Sequence, residues 1–424
     1  MLSDGGPGGS DAFIVPSDMK FGYSNFTELP SYLDFRNVTD MNHMFYGCFS
    51  LATISQIDTS NVTNMSYLFY DCNSLTSVPQ LVTTNVQNMT NMFCNCNSLT
   101  SIFQMDTSNV QDMNSMFAGC TNLVDVPQLV TTNVSDMSDM FSGCSSLATI
   151  PQMDTSNVSS MLGMFNGCSN ITTIPQMDTS NVSDTRNMFM KCTNLQSIPQ
   201  LVTTNVQDMS YMFYGCEKLQ SIPLLDTSNV TNMEYMFQEC KSLTTIPLLN
   251  TSNVITMLGM FYCCTNLTTI PQIDVSNVDN MEDMFYNCSN LQSVPQLNTG
   301  MVKYMNYLFN GCINLETVEG IDFSGLTRNL TGLFGYTSSM PKLTRFIVNG
   351  KINVSISDNY SIKAMSSIDY DSVKSILTAA DRTDNTNTKT LAFNRTIADQ
   401  DGELAALVAS CSTKGWTITG LTLQ

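Results

Sequence analysis

Fifteen cysteines and thirty methionines beside a single histidine point first to metal or redox chemistry. Twelve of the cysteines stand 24 residues apart: Cys48, Cys72, Cys96, Cys120, Cys144, Cys168, Cys192, Cys216, Cys240, Cys264, Cys288 and Cys312. A zinc site gathers several thiolates or imidazoles at close spacing, and one thiol per 24 residues lacks that clustering. Disulfides need an oxidising compartment, whereas a free buried Cys is a small hydrophobe. The ladder therefore reads as core, with no metal and no cofactor. Cys94, Cys263 and Cys411 lie off it, and Cys94 with Cys96 makes only a C-x-C pair. His43, as the lone histidine, would have to do everything in a Ser-His-Asp or Cys-His site. No Asp/Glu pair stands apart from the repeating columns as glycosidase carboxylates would. The Gly-rich start GGPGG is no phosphate loop, since no strand precedes it and no Lys-Ser/Thr follows. The expectation is a protein that is not an enzyme.

Recognition chemistry has better candidates. Gln80, Gln128, Gln152 and Gln176 belong to a column of glutamines at the same 24-residue step, beside a column of Ser and Thr. Such columns either fill solvent-facing ladder sites or form a flat, uncharged, hydrogen-bonding surface for glycans or extended protein segments. Tyrosines are unevenly placed, and no ladder demands them. None lies between Asp71 and Ser210, while Tyr67 sits with Tyr46 and Tyr70, and Tyr211, Tyr214, Tyr235, Tyr262, Tyr286, Tyr304 and Tyr307 crowd a later stretch. Exposed Tyr offers rigid amphipathic area to a partner, although surface variation gives the same pattern.

What positions these residues is the period itself. A Phe stands three residues before each of the twelve cysteines, from Phe45 to Phe309. Met or Leu precedes it, a second Met lies three earlier except at Thr185, and Asn-Val usually comes before that. The unit reads L-x-x-I-P-Q-[LM]-D-T-S-N-V-x-x-M-x-x-M-F-x-x-C-x-x. Fixed periods of this length mean a solenoid whose copies bury their apolar faces on one another. Val62, Met65, Leu68, Phe69 and Cys72 share one face at helical spacing, predicting a short helical segment. Leu75–Val82 predicts a short strand. The expectation is an α/β solenoid: a leucine-rich-repeat-type parallel β array, one short strand and one short helical segment per repeat, capped at both ends. Asp58, Val82, Asp106, Val130 and Asp154 alternate in one column, which spares neighbouring carboxylates from repulsion and marks them as ladder neighbours; Asp154 and Asp178 are the adjacent pair. The Asn column, Asn37 to Asn277, contains N-x-S/T sequons but reads as a turn ladder.

Three domains follow: a Gly-rich lead and cap over 1–28, the solenoid over 29–346, and a C-terminal capping module over 347–424. The formal charge of −19 opposes phosphate backbones, so nucleic acid is not an expected partner. No apolar run reaches the ~20 residues of a membrane helix, so no membrane insertion is expected, and the start MLSDGGPGGSDAF reads as neither signal nor anchor.

The L-x-x-I-P, D-T-S-N-V and M-F-x-x-C pieces over about residues 29–346 resemble the BspA-like leucine-rich repeat surface proteins. The end, with ADRTDNTNTKTLAF and ELAALVASCSTKGWTI, looks like the terminal module of such proteins in bacterial and prophage genomes. The resemblance implies a non-enzymatic solenoid that adheres to surface glycans or protein receptors, with no catalytic residues to carry over. With no evident export signal, the expected setting is a virion or tail-associated receptor-binding component, or otherwise a bacterial cell-surface adhesin. Assembly into a larger particle would run through the N-terminal lead.

Overall fold

The computed structural model describes residues 12–327, 330, 332–334, 340–352, 360–361, 365–382 and 389–424. It forms two compact units, Met1–Val182 and Ser183–Gln424. The Gly-rich lead over 1–11 and most of the INVSIS segment lie outside the described residues.

In both units each 24-residue repeat is one coil, and consecutive coils stack in parallel. The coils begin in unit one with β1 (Phe13–Ile14), paired in parallel with β2 (Leu33–Asp34). Val62, Met65, Leu68, Phe69 and Cys72 are all fully buried, as their spacing predicts. The backbone that carries them is not helical, however. Leu68 N donates to Met65 O, Tyr70 N to Tyr67 O and Cys72 N to Phe69 O, a chain of tight turns. Tyr67 (φ 56°) and Asp71 (φ 60°) are left-handed, which an α-helix excludes. Alternate amides point instead at the next coil: Met65 N to Asn88 O, Tyr67 N to Thr90 O, Phe69 N to Met92 O and Asp71 N to Cys94 O. Turns that reverse every three or four residues bring the same positions inward as a helix does, so the apolar pattern alone does not separate the two. The solenoid stands; its helical segment is a double turn.

The expected strand over Leu75–Val82 is extended but sparsely paired. It joins the coil before it at the Thr53–Ser77 bridge and through Thr76 N to Ala52 O. Pro79 has no amide hydrogen to offer a ladder. Bonding is made up by side chains. Thr59 Oγ1 donates to Val82 O (2.9 Å) and accepts from Val82 N (2.8 Å), and Thr107 does the same for Val130. Each such buried hydroxyl replaces a pair of backbone ladder bonds. These bonds set Asp58 and Val82 in adjacent coils, in the register their alternation implies. Where the alternation fails, Asp178 pushes back on the Asp154 carboxyl, but hydrogen bonds from Ser156 outweigh it and hold that carboxyl below its ordinary pKa. The Asn column is a ladder too: Asn85 Nδ2 reaches Ser60 O (2.9 Å) and Asn109 Nδ2 reaches Thr84 O (2.7 Å).

The core is two sets of aligned columns, one in each unit. Phe45, Phe69, Phe93, Phe117, Phe141 and Phe165 stack ring on ring at 5.6–5.9 Å in unit one. Phe189 through Phe309 do so in unit two, ending on Phe334. Within each unit the ladder thiols donate to the Phe carbonyl of the coil before, as Cys72 Sγ does to Phe45 O (3.2 Å) and Cys240 Sγ to Phe213 O (3.2 Å).

At the C-terminal side of unit two, β3 (Thr317–Asp322) pairs in parallel with β4 (Arg345–Asn349). A second parallel sheet follows, ordered β5 (Tyr360–Ser361), β6 (Thr390–Ile397), β7 (Thr417–Leu423). Helix α1 (Tyr370–Asp381) connects β5 to β6, and α2 (Glu403–Thr413) connects β6 to β7. Parallel neighbours need such crossovers. Asp369 caps α1 through Ser372 N (2.8 Å), and Ser372 Oγ in turn accepts Phe346 N of β4 (2.8 Å). Arg345 joins Glu319 of β3 (2.6 Å) to Asp369 (3.1 Å) and Asp371 (3.3 Å) at the start of α1.

Candidate functional site

The repeating polar groups are largely spent on the fold. Gln80 Nε2 donates to Gln104 O (2.7 Å), Gln128 Nε2 to Gln152 O (2.5 Å) and Gln152 Nε2 to Gln176 O (2.6 Å), while Gln176 Nε2 reaches Met177 O (3.2 Å). The glutamines are exposed, but their amide donors hold neighbouring coils together, leaving mainly their carbonyl oxygens for a ligand. The thiols are equally committed. Burial pushes Cys94 and Cys144 up to about 12, and raises Cys96, Cys120, Cys216, Cys240 and Cys288 as well. Such thiols are poor nucleophiles and poor metal ligands. Cys263 alone is half-buried rather than buried.

In unit two the column breaks. Leu224 and Leu248 stand where Gln stands in neighbouring coils, and they are 60% and 62% exposed. With Gln200, Val202, Asp226 and Asn250 they line an open groove of about 430 Å³. This was legible as two leucines out of place in the Gln column and was missed.

Tyrosines occupy the turn segment, and several sit at its first left-handed position. Tyr67, Tyr211, Tyr235 and Tyr307 have φ of 53–58°, the left-handed region that large side chains avoid. The corresponding position is left-handed in every coil from His43 to Tyr307 and is Gly at Gly163 and Gly259, so the repeat sets this backbone whichever residue stands there. All four are half-buried. In unit one Tyr67 stacks on His43 (4.5 Å, 13° between planes), and Tyr46 stacks on Tyr70 (4.8 Å, 3°). His43 is held below the ordinary histidine pKa by burial and by Lys20. In unit two Tyr211 meets Tyr214 (5.9 Å) and Tyr235 (5.2 Å), and Tyr262 stacks on Tyr286 (4.6 Å, 3°). The structure thus gathers Tyr211, Tyr214 and Tyr235, and separately Tyr262 and Tyr286. Tyr307 leans over Gly332, where a Cβ would meet its ring. Stacked rings cover one another's faces and present edges and hydroxyls, so sugar stacking is open only at uncovered faces.

Carboxylates border these rings. Tyr235 is pushed up to about 12 by burial first, then by Tyr211, Asp283, Glu234 and Glu282. Burial, helped by Asp208, raises the Glu234 carboxyl, and burial with Glu282 raises Asp283. Sequence reading singled out none of these acids, because which coil neighbours meet depends on stacking that residue spacing does not state.

The family model described as "Mycoplasma protein of unknown function, DUF285" matches residues 17–126, 121–223 and 218–321. No curated protein matches the chain. Among solved structures, a leucine-rich repeat protein from Eubacterium ventriosum aligns at 18% identity over 68% of this chain and 77% of its own, with a TM-score of 0.38. A T. pallidum leucine-rich repeat protein aligns at 19% identity over 51% of this chain and 76% of its own, at 0.23. The fold is read here from the coils themselves.

Proposed function

The chain belongs to the DUF285 family, described as Mycoplasma proteins of unknown function, and from that premise we propose that it is a non-enzymatic recognition protein whose solenoid binds a surface glycan or protein receptor. One observation carries this reading. Groups that repeat in nearly every coil are tied up in coil-to-coil bonds, whereas the tyrosines, which only some coils carry, gather on the turn segment in half-buried positions. Tyrosine there offers a partner rigid amphipathic area.

Two settings suit such a protein: a virion or tail-associated receptor-binding component, and a cell-surface adhesin of BspA-like type. The L-x-x-I-P and M-F-x-x-C resemblance favours the second. Antibody detection in purified virions against detection on intact cells decides between them. Recognition itself is tested by screening the purified chain against glycan arrays and intact cells, beside a variant with Tyr211→Ser, Tyr235→Ser and Tyr307→Ser. Binding should fall about tenfold or more in the variant. Unchanged binding removes the tyrosines from the site, and turnover of a glycan removes the non-enzymatic reading.

A further inference from the structure

The tyrosines of unit two face a charge imbalance that the chain does not correct. In these coils Lys241 pairs with Glu217 (2.7 Å) and lies 4.0 Å from Glu239, and Lys303 pairs with Asp279 (2.8 Å). Glu234, Glu282 and Asp283 form no ion pair among the described residues, and Asp208, which forms none either, lies in the field of Arg186. Asp208 accepts Ser210 N and Asn232 Nδ2, and Glu282 accepts Asn306 Nδ2, all neutral donors. The charges that act on Tyr235 come from Asp283, Glu234, Glu282 and the neighbouring Tyr211; no cation is among them.

Column geometry puts ring and carboxylates within reach of one guest. Tyr211, Tyr235, Gly259 and Asp283 follow one another at 24-residue steps. A Cβ at Gly259 would collide with Cε1 of Tyr235, so the Tyr235 ring lies across the Gly259 coil. The next coil carries Glu282 and Asp283. An aromatic ring beside uncompensated carboxylates suits an alkylammonium or guanidinium group, which the ring quadrupole and the charges attract together. Partly buried carboxylates without a cation are costly to keep, and a partner's cation offsets that cost.

We propose that the turn face around Tyr211, Tyr235, Glu234, Glu282 and Asp283 docks a Lys- or Arg-bearing segment of a protein partner. This rests on the recognition reading and narrows its ligand class. The partner is a basic peptide segment because charge complementarity selects it: a neutral glycan leaves these carboxylates unpaired.

The test uses the full chain and a fluorescently labelled oligoarginine peptide, with a peptide in which citrulline replaces arginine as neutral control, read by anisotropy at physiological ionic strength. One variant carries Glu282→Gln and Asp283→Asn. A second, charge-matched variant carries Asp226→Asn and Asp274→Asn, at turn positions where Asn250 already serves naturally by accepting Ser252 N. The expected result is binding of oligoarginine but not of the citrulline peptide. Affinity should weaken about tenfold in the first variant and less than about twofold in the second. Equal weakening in both variants, or no oligoarginine binding, overturns the proposal. Thermal melts of both variants confirm that a loss of binding is not a loss of fold. The two readings fail separately: no ligand in the glycan and cell screen counts against recognition, whereas a captured ligand that both variants bind alike overturns only the basic-segment docking.

Discussion

At the residue scale, the carboxylates of unit two fall into two groups with opposite consequences for stability. Asp226 and Asp274 accept the backbone amides and hydroxyls of Ser228 and Ser276, which hold their pKa below the ordinary value. They contribute stability above the ordinary carboxyl pKa and lose it as pH falls through the lowered value. Asp283 is the reverse: burial first, then Glu282, raises its pKa, so the folded state prefers the protonated acid. Its stabilisation is complete at low pH and is lost as pH rises through the raised value, leaving a penalty at neutrality. Asp283→Asn should therefore raise the melting temperature at pH 7, by no more than about 3 °C for one half-exposed charge. The gain should shrink to nothing below about pH 4, near the ordinary carboxyl pKa. Asn accepts the left-handed backbone at this position as readily as Asp does, so backbone strain does not confuse the result. Melting curves at both pH values check it, and a lowered melting temperature at pH 7 would mean that the charge has an internal partner.

At the element scale, the unit of construction is the double turn that ends on each cysteine. Its second left-handed position holds Gly in six coils, at Gly47, Gly119, Gly143, Gly167, Gly215 and Gly311, and Asn or Asp in three more. Lys191 (φ 58°), Glu239 (φ 59°) and Cys263 (φ 59°) occupy the same position against preference. An L side chain there costs about 1–2 kcal/mol. Lys191 is exposed, and its amide bond to Tyr214 O survives substitution. Lys191→Gly should then stabilise the chain by about 0.5–1 kcal/mol in urea unfolding, less than the full backbone cost because glycine also gains freedom in the unfolded state. The same column explains what the sequence hid. Phe69 and Cys72 were legible as core because residue type alone places an apolar side chain inward. The distinction between helix and double turn lay in Gly47, Asn95, Gly119 and Gly143, a left-handed signature one residue before each cysteine that apolar spacing does not register. Thr59 and Asn85 were legible as ladders because a polar group repeated at fixed step has the same neighbour each time. Tyr235 was legible as a residue that no ladder demands, but Glu282 and Asp283 as its neighbours were not, since they sit almost fifty residues on in sequence and meet it only through stacking.

At the scale of the whole molecule, the coils within each unit bond to their neighbours, so register matters more than length. Residues 37–182 contain no Lys or Arg, and no ion pair fixes the coils of that stretch relative to one another. Its alignment rests on the Phe, Cys, Thr and Asn columns, all of which repeat at the same step. Deleting residues 109–132 joins Ser108 to Asn133, the residue that begins the same turn one coil later. Asn133, which now bonds Ser108 O, would take over the contact of Asn109 with Thr84 O. Phe93 would stack on Phe141 in place of Phe117, with every column intact. Deleting only 109–120 removes half as many residues but leaves an odd half-coil, which parts the Thr107 hydroxyl from Val130 and sets the Phe141 ring out of register with the coil before. In a quasi-one-dimensional array stability is a sum of coils and their interfaces, so the whole-coil deletion loses one of each, whereas the half-coil deletion breaks an interface and exposes its apolar edge. The expected outcome is a cooperative melt within about 6 °C of the parent for the 24-residue deletion, and a lower, broader transition with increased hydrophobic-dye binding for the 12-residue one. If the shorter deletion proves the milder, register does not govern this fold, and the alignment of columns that places the tyrosines beside their carboxylates has to come from elsewhere.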